Sequence, residues 1–394
     1  MKRGFWAKAG LALLGCALAL ALTELGLRLV FPPNDLFLVW PANLHTTFDP
    51  LPGVMPGIEG LVHFDTNSVG LRGDEMGGDY QILTIGGSTT ECIYLDTDES
   101  WPGALQVNLQ AAGAGVWVGN GGRSGRNTRN HILQMQYLLP QFPEVDAVVM
   151  LTGVNDLVIV RLQSGSNFDP GFMDLPDSEE RRLRLAFEDV PQDFAFADPA
   201  LEARVRGSWW ERTGIWRLVQ TLRRNRNTAQ ATEAGEAIEQ DRVGQYYVTQ
   251  RQRRANGTFT NTLPDLASAI AEYKRNLNTL ADIAEANGVR LILLTQPSIW
   301  QADTPPEIDR WLWFARGEDD IYYTNAAMAT AMQMYNDALL AVCADRGLEC
   351  IDLANLLPKD LTVFYDDVHF NESGAAMVAD ILTEYFLGHP PIAP

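Results

Sequence analysis

A chain of 394 residues, 46% hydrophobic and 9% aromatic, suits one large domain with insertions or two domains around substantial cores. Its formal net charge of −20 argues against a nucleic-acid partner, because a phosphate backbone calls for a cationic footprint. The acidity is uneven. Between Arg181 and Arg254 stand 14 arginines against 10 Asp and Glu, fitting either a solvated helical face with ion pairs or a surface that meets anionic groups.

The N-terminus places Lys2, Arg3 and Lys8 before an apolar run from Ala9 to about Val30, interrupted by Thr23, Glu24 and Arg28. A basic flank followed by an apolar core marks a signal peptide or a membrane anchor, and residues 9–30 reach the roughly 20 that a spanning helix needs. Leu13-Leu14-Gly15-Cys16 resembles a bacterial lipobox, but the chain after Cys16 stays apolar. Residues 1–30 are therefore read as an uncleaved single-pass anchor, with a cleaved signal and secretion, or a lipoprotein attached at Cys16, as alternatives. In each case, the bulk of the chain lies outside the cytoplasm, in the periplasm or beyond.

Residues 31–79 are rich in Pro, Gly and Asn and read as an extended segment over the core. From residue 80 an alternation begins, carried to about residue 390. Strand-like runs are QILTI (81–85), VWVG (116–119), VDAVVML (145–151), VRLILLT (289–295) and LECIDL (348–353). Helical segments follow over Ser100 onward, Asn127–Leu139, Leu266–Asn287, Ala326–Arg346 and Ser373–Leu387, two of them stopped by Gly288 and Gly347. Val/Ile/Leu-rich runs of five to seven suit strands buried on both faces. Five of them alternating with helices predict a three-layer α/β/α sandwich on a five-stranded parallel sheet, with function at the carboxyl ends of the strands. Residues 157–262 break the rhythm and read as a helical insertion, a candidate lid, with helices over 178–187 and 208–224. Of four cysteines, Cys343 and Cys350 bracket a helix-to-strand junction and could pair in an oxidising compartment. No Cys or His spacing suggests a metal site, and no cofactor is expected.

Each strand end delivers a motif: Gly86-Gly87-Ser88, Asn120-Gly121-Gly122, and Gly153-Val154-Asn155-Asp156, with Asp366-Asp367-Val368-His369 before the last helix. Alone, each is an ordinary turn or cap. Together they supply what acyl transfer needs. A serine requires a base to take its proton, imidazole has the suitable pKa, and a carboxylate must hold the ring in the right tautomer. An attacked carbonyl becomes an oxyanion that N–H donors must meet. The backbone of Gly122, the side-chain amide of Asn155 and the backbone of Ser88 can provide them.

These four ordered blocks, GGSTT, NGGRSG, GVND and DDVH, resemble those of the SGNH (GDSL-type) hydrolases. TQP at 295–297 and FYDDVHFNESGA at 364–375 further resemble a bacterial membrane-anchored branch. The resemblance implies the flavodoxin-like SGNH fold, Ser88 as nucleophile, His369 as base, Asp366 as its orienting acid, and Ser88, Gly122 and Asn155 as the oxyanion hole. Asp367 sits at the wrong spacing for the acid. Gly87 departs from the family's usual Gly-Asp-Ser. His45, His63, His131 and His389 lack an acid at a motif position.

The implied activity is a serine esterase acting on acyl-ester substrates outside the cytoplasm. Trp209, Trp210 and Trp216 in the insertion, and Trp300, Trp311 and Trp313 after TQP, fit ordinary packing or an aromatic-lined pocket. Short acyl groups such as O-acetyl on a glycan are preferred. A lipase or lysophospholipase acting on longer chains and an O-acyltransferase are alternatives, with a membrane-tethered glycan-binding module as the non-enzymatic one. The expected partners are thus a glycan or lipid ester and, through the N-terminal helix, the membrane.

Overall fold

The computed structural model describes residues 2–30, 36–162, 174–188, 213–216, 218–219, 243–317 and 321–389. The chain divides into two compact units, one of residues 1–37 with 197–237, the other of residues 38–196 with 238–394. In the first, the helix Lys2–Val30 contains a stretch, Gly10–Leu29, with mean hydropathy 1.9 and long enough to cross a membrane. Its interrupting charge is explained locally. Glu24 pairs with Arg28 one turn on at 2.7 Å and accepts the backbone N–H groups of Gly214 and Ile215 at 2.8 and 3.1 Å.

The second unit opens with an antiparallel pair, β1 (His45–Phe48) and β2 (Val62–Asp65), where the sequence suggests only an extended segment. The central sheet follows: β3 (Tyr80–Gly86), β4 (Val116–Asn120), β5 (Ala147–Leu151), β7 (Arg290–Leu294) and β9 (Glu349–Ile351). All are parallel, in the order β4-β3-β5-β7-β9. Numbered within the sheet alone this is 2-1-3-4-5, the flavodoxin-like order. Every residue of β5 is buried, as its unbroken Ala-Val-Val-Met-Leu run requires, and each large side chain there contributes about 1.5–3 kcal/mol.

Helices cover both faces. Trp101–Ala111 packs with Glu372–Gly388; on the other face Thr128–Leu138 and Asn325–Arg346 pack on Ala267–Asn287. Their ends follow local chemistry. Ser100, Asn127, Thr324 and Asn371 cap N-termini through side-chain oxygens, and Gly288 and Gly347 close C-termini in the left-handed region. The bridge Cys343–Cys350 is formed, with Cα atoms 6.2 Å apart.

The stretch 157–262 departs from a wholly helical reading. It carries a helix over 243–255, but also β6 (Thr258–Thr260), which pairs in parallel with β8 (Ile321–Tyr323) as a separate two-stranded sheet. Three residues, Thr-Phe-Thr, are too few to establish a strand period; the partner strand creates this one. Helix Glu179–Leu183 runs into a π turn at Arg184–Glu188, covering the expected 178–187 segment and ending one residue beyond it. Most of the expected 208–224 helix, with Trp209 and Trp210, lies outside the described residues.

Candidate active site

Ser88 opens a four-residue helix, Ser88–Glu91, at the end of β3. Gly87 is its N-cap, and the N–H groups of Thr90 and Glu91 both close onto the Gly87 carbonyl at 3.0 Å. Ser88 stays partly exposed while Gly87, Thr89, Thr90 and Glu91 are buried. The buried turn therefore holds the partly exposed serine at the end of β3.

His369 comes to it from the far end of the chain. Its Nε2 is 2.7 Å from Ser88 Oγ, and its Nδ1 lies 2.8 and 2.9 Å from the two Asp366 oxygens. The Asp-x-x-His spacing has a local cause: Asp366 Oδ1 accepts the backbone N–H groups of Val368 at 3.0 Å and His369 at 2.9 Å. That turn brings the ring over the carboxylate. The Tyr365 ring stacks on the imidazole, 5.4 Å between centroids and 9° from parallel. With Nδ1–H donated to Asp366, Nε2 is the acceptor that faces the serine hydroxyl.

The two neighbouring aspartates are separated by their partners. Burial pushes the Asp366 carboxyl up, but the His369 charge and the donated hydrogen bonds outweigh it and hold it below the usual carboxylate range. His369 is raised above the ordinary imidazole value: burial opposes this, and Asp366 overcomes it. Asp367 is raised by burial and by the Asp366 charge. It faces away from the imidazole, accepting Trp300 Nε1 at 2.8 Å and the backbone N–H groups of Trp313 and Phe314 at 2.7 and 3.0 Å.

The three expected oxyanion donors stand differently. Asn155, partly exposed after β5, donates Nδ2 to the Arg126 carbonyl at 2.7 Å, which fixes the amide. A Cβ on Gly87 would lie 2.4 Å from that nitrogen, so the amide and the Ser88 turn touch only because residue 87 is glycine. Gly122 differs from expectation: its N–H donates to Asn120 Oδ1 at 2.8 Å. Asn120 in turn donates to the Thr90 carbonyl at 2.9 Å, tying the end of β4 to the Ser88–Glu91 helix. A Cβ on Gly122 would meet the Glu91 nitrogen at 2.3 Å, so this crossing also requires glycine.

Residues 84–377 match the GDSL-like lipase/acylhydrolase family. The chain belongs to that family. This GDSL-like protein is a carboxylic ester hydrolase built on a five-stranded parallel sheet. No curated relative matches it. Among solved structures it is similar to Axe2, an acetylxylan esterase from Geobacillus stearothermophilus, at 15% identity, covering 81% of this chain and 99% of that one with a TM-score of 0.40. It is also similar to LAE5, an alpha/beta hydrolase from the Lake Arreo metagenome, at 15% identity, 79% and 97% coverage and a TM-score of 0.39. A third is the esterase EstA from Pseudoalteromonas sp., at 12% identity, 78% and 96% coverage and a TM-score of 0.36.

Several residues of this GDSL-like site carry no sequence signal. Arg72, 1% exposed, donates to the carbonyls of Glu91 and Cys92 at 2.8 Å and to that of Leu95, and its guanidinium sits 4.6 Å from the Phe64 ring centroid. It thereby ties the end of the Ser88–Glu91 helix to the β1–β2 segment. Glu91 is buried, accepts the Ser124 hydroxyl, and is pushed up to about 7 by burial. Trp313 donates Nε1 to Asp366 Oδ2 at 2.9 Å. The other histidines lie elsewhere: His45 pairs with Asp65, His63 with Asp96, His389 stacks on Tyr385, and His131 is buried against Gln134 with its pKa lowered to about 4 by burial.

Proposed function

We propose that this hydrolase is a serine esterase that releases short acyl groups, O-acetyl above all, from glycan esters outside the cytoplasm. The Ser88–His369–Asp366 hydrogen-bonded chain carries the reading. Ser88 Oγ attacks the ester carbonyl as His369 Nε2 takes its proton, and Asp366 stabilises the imidazolium. The oxyanion meets the Ser88 N–H and the Asn155 amide, each such donor being worth roughly 3 kcal/mol. The Gly122 N–H is the third donor, shared with Asn120 Oδ1. His369 returns the proton to the leaving alcohol, and water repeats the sequence on the acyl-enzyme with His369 as base.

Eight of the seventeen exposed large apolar side chains among the described residues lie in the N-terminal helix, which favours membrane contact there rather than at the catalytic unit. The helix as anchor and the formed Cys343–Cys350 bridge together favour a catalytic unit outside the cytoplasm. The test is a series of acetyl, butyryl and octanoyl p-nitrophenyl esters. The proposal expects kcat/KM to fall with chain length, and a steady rise would replace it with a lipase reading.

A further inference from the structure

Two cations share one indole beside the catalytic acid. The guanidinium carbons of Arg251 and Arg310 lie 4.9 and 5.2 Å from the Trp311 ring centroid. Among the described residues neither is in an ion pair, in a chain whose net charge is −20. The adjacent carboxylate is committed elsewhere: Asp309 accepts Arg254 at 2.8 Å and Asn325 at 2.7 Å. Arg251 donates to the carbonyls of Trp311 at 3.0 Å and Val54 at 2.5 Å, but its Nη2 is buried with no partner, as is Trp311 Nε1. Arg310 is exposed.

These three residues line a recess of about 370 Å³. Its polar side-chain groups are donors, two of them charged, so its chemical complement is an anion with several acceptor oxygens. The recess is built onto the catalytic loop. Two residues beyond Trp311, the Trp313 indole holds Asp366. One turn before Arg251, Tyr247 packs on Trp313 at 5.7 Å and on Tyr365 at 6.0 Å, the ring stacked on His369.

We infer that the Arg251–Trp311–Arg310 recess is a subsite for a carboxylate or phosphate group carried by the ester substrate away from its scissile bond. The inference rests on the esterase reading and adds to it the charge of the substrate. A neutral acylated sugar leaves Arg310 without an ion pair and Arg251 Nη2 and Trp311 Nε1 without acceptors, whereas a uronic acid or a sugar phosphate fills the recess and orients the ester toward Ser88.

The test uses the full chain in detergent micelles. Inorganic phosphate and glucuronate are titrated calorimetrically into Ser88→Ala protein and into the same protein carrying Arg310→Gln or Arg251→Lys. Saturable binding is expected, weakened about tenfold by Arg310→Gln, an exposed substitution that spares the fold. The tighter of the two anions names the group. On active protein, the ratio of kcat/KM for acetylated glucuronate to that for acetylated glucose should fall by a similar factor in Arg310→Gln. Absence of binding by both anions, or binding and selectivity indifferent to Arg310→Gln and Arg251→Lys, overturns the subsite. Anion binding by a protein that hydrolyses no ester defeats the esterase reading alone; ester hydrolysis without anion binding defeats the subsite alone.

Discussion

Trp313 holds both adjacent aspartates at once: its indole Nε1 donates to Asp366 Oδ2 at 2.9 Å, and its backbone N–H donates to Asp367 Oδ2 at 2.7 Å. One residue thus fixes which carboxylate faces the imidazole. Asp366 keeps an oxygen edge on His369 Nδ1, while Asp367 is turned into the Trp300–Phe314 side of the loop. On this arrangement the two positions are chemically unequal.

Asp366→Asn is expected to lower kcat by about 10³–10⁴-fold, because an amide no longer stabilises the imidazolium or fixes its tautomer. Asp367→Asn disturbs a buried hydrogen-bond cluster and is expected to cost stability first, with activity per folded molecule reduced less than about tenfold. Steady-state kinetics normalised to folded protein separate the two, and the reverse order would reassign the acid.

Trp313→Phe removes one donor from Asp366 while keeping the ring. The carboxylate then concentrates its charge on His369, so the imidazole pKa, already raised, should rise further. The base must be neutral to accept the serine proton, so the acid limb of kcat/KM should move to higher pH. A merely structural role for Trp313 would lower activity without displacing that limb.

Gly87→Ala should cost activity without a backbone penalty, since Gly87 has φ −86° and tolerates a side chain conformationally. The added methyl lands on the Asn155 amide. Losing that donor predicts a fall in kcat of about 10²–10³-fold with little change in melting temperature. Retained activity would show that Asn155 does not serve the oxyanion.

Glu91→Gln should flatten part of the pH dependence of stability. Burial pushes the Glu91 carboxyl from an ordinary 4.5 to about 7 in the folded protein, so the unfolded chain releases this proton first. Folding stability from this group therefore falls as pH rises from about 4.5 to about 7, by on the order of 3 kcal/mol at its end. The neutral variant escapes that loss, so its melting temperature should exceed the parent's above pH 7 and converge with it near pH 4.5.

The sheet is legible in the sequence because its strands are buried on both faces and read as unbroken apolar runs, as in β5, with glycine stops before β7 and β9. The residues gathered around Ser88 are legible because each ends a strand or precedes a helix, where short polar motifs stand out. What stays hidden depends on contacts between distant segments. Nothing in the neighbourhood of Arg72 announces that it will reach the carbonyls of residues 91–95, and nothing around Trp313 announces Asp366 as a partner. The Gly122 N–H is hidden for the opposite reason: its competitor, Asn120, is so close in sequence that it reads as part of the same turn. The β6–β8 pair is invisible because each strand is three residues long and depends on the other.

The whole mechanism depends on Ser88 being the nucleophile. Incubating the full chain with a p-nitrophenyl phosphonate and mapping the adduct by peptide mass spectrometry tests it directly. One phosphonyl group on Ser88 is expected, formed with loss of p-nitrophenyl acetate hydrolysis, with no labelling or turnover in Ser88→Ala. Full activity in Ser88→Ala, or an inactivating adduct on another residue, would contradict it.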